Sequence, residues 1–312
     1  MRALVYDRFG PPDVLHVAEV DAPVARRGEV LVRVGAAALN PKDVLIRKGK
    51  FSLVAGRRFP KIPGYDFAGT VEDVGPHVHG LSRGQPVYGM INGWSGRACA
   101  ELVSVPAGEL AAMPERLSVV EAAAVPLAAL TALQALRDEA RISAGARVVV
   151  NGASGGVGTF AVQIAKRLGA RVTAVCSRRN AELVMSLGAD DVLAYDEGDV
   201  RELEGEVHAF FDVFGNQPYP KVRHLLSRRG RFVTTIPRPG AVVRDVATRL
   251  SLRSARLVVV RSRARDLDLR RSWIDAGVLR PVIDRSVPLE RGAEAAAYLE
   301  TKRARGKVVL TL

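Results

Sequence analysis

The sequence predicts an α/β protein: a β-rich first domain followed by a domain built on a doubly wound parallel sheet. Three observations predict it. The first hundred residues or so carry short runs of alternating apolar and polar residues with Gly and Pro in every gap, the pattern of half-buried strands. From Val119 onward, strand-like and helix-like segments alternate, which requires βαβ crossovers and therefore parallel pairing. Between one such strand and helix lies NGASGGVG, residues 151–158, a glycine cluster where the backbone must turn sharply.

Taken in order, the expected strands of the first domain are residues 3–6, 30–34, 69–74, 86–90 and 101–105. Residues 119–136 have the length and small-residue content of one helix. Strands are then expected at 147–151, 171–176, 191–194, 209–214, 231–236 and 257–261, with helices at 157–168, 180–187 and 220–226 between them. Residues 281–312 read as strand, helix and closing strand. The expected division is 1–120, completed by 264–312, and 121–263, consistent with a 312-residue chain being too long for one core.

Composition narrows the function. Apolar residues make up 48% and charged residues 25%, as in ordinary ordered domains. Cys99 and Cys176 are the two cysteines, too few for a disulfide framework or a cysteine zinc site. Asp7 and Arg8 interrupt the start where a secretion signal needs an apolar run, and Pro126 interrupts the longest apolar stretch, so a cytoplasmic, membrane-free chain is expected. The net charge of +13 raises nucleic acid as a partner. Its arginines are scattered and few aromatics accompany them, which favours a solvated basic surface over a base-stacking site.

The strand VVV runs directly into NGASGGVG, and the next helix keeps Phe160, Ala161, Ile164 and Leu168 apolar. Gly152, Gly155, Gly156 and Gly158 would let a pyrophosphate approach the backbone. The N–H groups through Ser154 and Val157 and the helix dipole would hold its charge. A tight turn before a helix is the plainer explanation of glycines alone, but it leaves the flanking strands unexplained. The following strand ends in Ser177, Arg178 and Arg179, where an NAD site would place an acid against the ribose hydroxyls. A hydroxyl and two cations suit a 2′-phosphate, so NADPH is the expected cofactor.

With these residues in view, the chain resembles the quinone oxidoreductase branch of the medium-chain dehydrogenase/reductase superfamily. The likeness rests on ASGGVG followed by Gln163 and Lys166, and on GPPDVL, GEVLVRV, GYDFAGTVEDVG, PLAALTAL and GKVVLTL along the chain. It implies a GroES-like β domain and a Rossmann domain, with NADPH in the cleft between them and a homodimer formed through the last Rossmann strand, residues 257–261. Zinc-dependent members carry Cys at the position of Asn40 and His-Glu at Tyr65-Asp66, and they carry a four-cysteine lobe absent here. Zinc independence follows.

The same resemblance places Asn40 and Asp43 beside the nicotinamide and Thr131 near it. The adenine and ribose side falls to Tyr195, Phe214, Gly215, Asn216, Ile236 and Pro237. The family's tyrosine at the end of NPKDVLIRKGKF is Phe51 here, which removes one proton donor. Tyr65 is open to two roles, donor to a substrate carbonyl or packed core side chain, and Thr131 is equally open to bonding its own helix. The implied reaction is hydride transfer to a quinone, enone or enoyl ester. A zinc-free carbonyl or alcohol oxidoreductase remains an alternative, as does a weakly catalytic NADPH-binding protein with an RNA-binding or redox-sensing role.

Overall fold

The computed structural model describes residues 1–312, which divide into two compact units, Met1–Leu127 with Arg261–Leu312, and Ala128–Val260. These divisions sit a few residues from the expected boundaries at 120 and 264.

In the first unit β1 (Arg2–Val5) pairs antiparallel with β2 (His16–Glu19). A larger sheet is assembled from β3 (Glu29–Leu39), β4 (Asp66–Val74), β5 (Pro86–Met90), β6 (Leu102–Pro106) and β7 (Leu110–Ala112). Val30, Val32 and Val34 alternate inward along β3 and pack with Phe67, Val71, Val87, Val103 and Val105, so the period-2 pattern builds the core. The strand runs beyond the expected residue 34, because Gly35–Leu39 offers only small and apolar side chains that a doubly covered strand accommodates.

The second unit holds β8 (Arg147–Asn151), β9 (Arg171–Cys176), β10 (Asp191–Ala194), β11 (Val207–Asp212), β12 (Leu226–Thr234) and β13 (Ser254–Leu257). They line up as β10-β9-β8-β11-β12-β13 with every neighbour parallel. This is the doubly wound Rossmann order. One expectation needs correction: the last strand lies at Ser254–Leu257, not 257–261. Its ladder partner β12 ends at Thr234, whose carbonyl accepts a last bond from Val258 N at 3.0 Å, and beyond that point no neighbouring strand remains to pair with.

The helix expected at 119–136 is likewise broken, into Val119–Ala123, Pro126–Leu133 and a widened π-helical turn at Gln134–Glu139. Pro126 cannot donate to the preceding turn, so one helix ends and another begins there. The chain then returns to the first unit, where β14 (Ile283–Pro288) runs parallel to β15 (Lys307–Thr311) and β15 pairs antiparallel with β3. No helix is long and apolar enough to cross a membrane.

Candidate active site

On the second unit, the predicted cofactor residues all follow the carboxyl ends of strands. Gly152 turns the chain out of β8 with φ +84°, a left-handed conformation that a side chain disfavours. Gly155 caps the helix Gly156–Arg167, and Gly158 packs so closely that a Cβ there would lie 2.1 Å from the Gly152 carbonyl oxygen. Helix and strand can meet this tightly only at glycine. Ser154 Oγ accepts a bond from Asn180 Nδ2 at 3.0 Å, tying the loop to the end of β9.

At that strand end Ser177 is buried while Arg178 and Arg179 are exposed. The sequence showed no acid after β9, but the turn after β10 brings two: Asp196 accepts from Arg178 N at 2.9 Å, and Glu197 lies 3.8 Å from the Arg178 guanidinium. Both side chains of that ion pair are mostly exposed, so it competes weakly for the cation. Tyr195, after β10, is exposed, and its N–H bonds the Cys176 carbonyl at 3.0 Å. After β11, the Asn151 amide donates to Asp212 and Asn216, each at 2.7 Å, and Phe214 lies against Gly152. Gly215 and Ile236 are in close approach, with Pro237 next in the chain. Thr131 lies on the helix Pro126–Leu133 of this unit and is buried.

On the first unit, Asn40, Asp43 and Tyr65 come together. Asn40 precedes the helix Pro41–Arg47, and Pro41 needs no N–H at the first helical position. The Asp43 carboxylate accepts from Asn40 N at 2.8 Å and from Gly64 N at 2.7 Å. Burial nevertheless pushes its pKa up to about 6, against the lowering effect of those two bonds. The Asn40 side chain joins a buried network: Nδ2 donates to Asp66 Oδ2 at 3.0 Å, and Oδ1 accepts from Lys307 Nζ at 2.6 Å. Lys307 also bridges Asp66 Oδ2 at 2.9 Å, and Asp66 Oδ1 accepts from Leu127 N at 2.7 Å. Every member of this network is satisfied.

Tyr65 is 1% exposed, and its hydroxyl makes no hydrogen bond of normal length and angle, although the Gly96 backbone N–H faces it and favours its ionised form. Lys42 Nζ stands 3.8 Å above its ring centre and 5.3 Å from the Trp94 ring, which in turn packs at 4.9 Å against Phe51. Lys42, Trp94 and Lys307 escaped the sequence reading. Lys42 sat unmarked between Asn40 and Asp43, and nothing local to residue 94 or 307 points to this cluster.

Residues 26–125 match the family model described as alcohol dehydrogenase GroES-like domain, and residues 187–310 match the one described as zinc-binding dehydrogenase. In this chain no group of three or more His, Cys, Asp or Glu side chains is placed to hold a metal ion. The chloroplast envelope quinone oxidoreductase homolog of Arabidopsis thaliana is 32% identical, covering 99% of this chain and 98% of that protein. The chloroplastic NADPH-dependent alkenal/one oxidoreductase of the same plant is 34% identical, covering 99% and 79%. The structure of the quinone oxidoreductase from Coxiella burnetii matches with a TM-score of 0.93 at 31% identity, covering 100% and 99%. The glycine loop, the parallel sheet and these full-length likenesses agree: the chain is an enzyme that belongs to the quinone oxidoreductase-like branch of the medium-chain dehydrogenase/reductase superfamily.

Proposed function

We propose that this enzyme uses NADPH to reduce a conjugated carbonyl acceptor, a quinone, enone or enoyl ester, without zinc. The observation that carries the reading is the loop from Gly152 to Gly158, seated at the switch point of a parallel sheet and followed one strand later by two exposed arginines. When bound, NADPH supplies the hydride. The backbone of Ser154, Gly155, Gly156 and Val157 would hold its pyrophosphate, and Ser177, Arg178 and Arg179 its 2′-phosphate. Tyr195, Phe214, Gly215, Asn216, Ile236 and Pro237 would line the adenine and ribose side, and Thr131 the nicotinamide side.

Zinc independence is supported by the donors themselves. The Asn40 oxygen already accepts from Lys307, and both Asp66 oxygens are engaged. We assign Asn40 and Asp43 the task of fixing the helix start beside Tyr65. The Tyr65 hydroxyl, without a well-formed hydrogen bond, also favours a second reading, direct reduction of a simple ketone, in which Tyr65 protonates the alkoxide. A homodimer is proposed at β13, one of the two edge strands of the Rossmann sheet, with sedimentation equilibrium as its check.

Steady-state oxidation of NADPH and NADH with a panel of quinones, enones and simple ketones tests the reading. Turnover of conjugated acceptors with NADPH preferred, unchanged after dialysis against a chelator, is expected. No turnover on any conjugated acceptor would sink it. Ketone turnover abolished in Tyr65→Phe would promote the second reading.

A further inference from the structure

Lys42 is a cation beside Tyr65 that the buried network does not engage. The backbone on either side of it is pinned, by Asn40 to Lys307 and Asp66 and by Asp43 to Gly64 N. Its ammonium carries three protons. One goes to the Gly93 carbonyl at 2.5 Å, and the charge rests on the faces of Tyr65 and Trp94. Ring faces stabilise a cation without quenching its donors, which leaves Lys42 able to bond an incoming anion. Beside it, Tyr65 keeps a buried hydroxyl without a well-formed hydrogen bond, a penalty that a partner from a ligand would remove. This hydroxyl and an uncommitted ammonium thus converge beside the aromatic pair Phe51 and Trp94.

We propose that Lys42 is a catalytic residue, its ammonium receiving the negative charge that develops on the acceptor's carbonyl oxygen, with the Tyr65 hydroxyl as the second donor. The assignment rests on the reduction of a conjugated carbonyl proposed above. As hydride adds to the electrophilic carbon, the π electrons shift onto oxygen and make an enolate. A Lys42 N–H and the Tyr65 O–H both donate to that oxygen, and water protonates the enolate at carbon, restoring the carbonyl and releasing hydroxide to solvent. Donors placed in advance where charge grows are worth far more in such a site than in water.

The groups facing the pair are Asp43 and Asp66 towards Lys42, and Asp43, Tyr6 and the Gly96 backbone N–H towards Tyr65. Burial lowers the Lys42 pKa, opposed by the two carboxylates, and burial raises that of Tyr65. Lys42 therefore loses its proton below the pH of a free lysine, and the rate falls on that alkaline limb.

Binding of 4-nitrophenol, whose phenolate absorbs visibly and imitates the enolate oxygen, reads this site without turnover. Wild type is expected to prefer the phenolate over the phenol by about tenfold or more, Lys42→Met to lose the preference and Lys42→Arg to keep most of it. In turnover with an enone, Lys42→Met is expected to lower kcat about 100-fold, leave the KM for NADPH unchanged and abolish the alkaline limb. Thermal melting and NADPH affinity, which reads the other unit, verify that the variant is folded. Equal phenolate preference in wild type and Lys42→Met, no preference in either, or an unchanged kcat in Lys42→Met overturns the assignment. A Lys42-dependent preference in a wild type that reduces no conjugated acceptor would instead overturn the proposed reaction and leave the oxyanion site standing.

Discussion

Arg178 and Arg179 meet solvent at the end of β9, and replacing both with Ala tests the choice of cofactor. A charge-assisted hydrogen bond contributes about 1.5–3 kcal/mol, so the double variant is expected to raise the KM for NADPH roughly 10- to 100-fold while NADH is little affected. Initial-rate kinetics with both cofactors check it. This pair was legible in the sequence because strand end and motif are adjacent in the chain. Asp196 and Glu197 were not, because a β10 turn had to bring them there. Asp43 gives a second expectation. Its folded pKa, raised to about 6 chiefly by burial, exceeds that of an unfolded aspartate, so the native state holds more protons between about pH 4 and 6. Stability should therefore decline as pH rises through that window, by at most about 3 kcal/mol, and level off above it. Urea unfolding across pH should show this slope in wild type and not in Asp43→Asn.

At the scale of elements, the tightest constraint is the crossing of β8 and the helix Gly156–Arg167. In Gly158→Ala the new Cβ would press on the Gly152 oxygen at 2.1 Å and on the Ala153 backbone at 2.7 Å, neither of which is a flexible side chain. Overpacking of this kind costs about 1–3 kcal/mol or more, and the loop would have to open. A lower melting temperature and at least tenfold weaker NADPH binding are the expected outcomes, read by calorimetry and fluorescence titration. The expected ranges for β5, β8, β9 and β10 coincide with the observed ones, because each is a short apolar run closed by Gly, Pro or a polar turn. β13 was misplaced for a physical reason: Leu257 to Val260 is as apolar as a strand, but the length of β12, not local composition, decides where pairing stops. The helix split at Pro126 followed a signal already visible in the sequence, since Pro breaks a helix wherever its missing N–H was needed.

At the scale of the molecule, Lys307 joins residues far apart in the chain, 267 positions from Asn40 and 241 from Asp66. Sequence gave no sign of the link, because a buried ion pair between distant strands has no local pattern. Lys307→Met would leave the fully buried Asp66 without its cation, and removing one partner of such a pair typically costs about 3–5 kcal/mol. Chemical denaturation should register that loss as unfolding of the first unit at lower denaturant. The position of β15, between β14 and β3, also bears on how the protein is made. All six Rossmann strands have been translated by Val260, and that unit can fold while synthesis continues. The first unit cannot be completed so early, although residues 1–127 precede the other unit in the chain: β3 waits with an open edge, and Asp66 without its lysine, until residues 307–311 arrive. The part of the enzyme proposed to hold the acceptor is thus begun first and closed last, and the nascent chain carries an exposed strand edge throughout the interval.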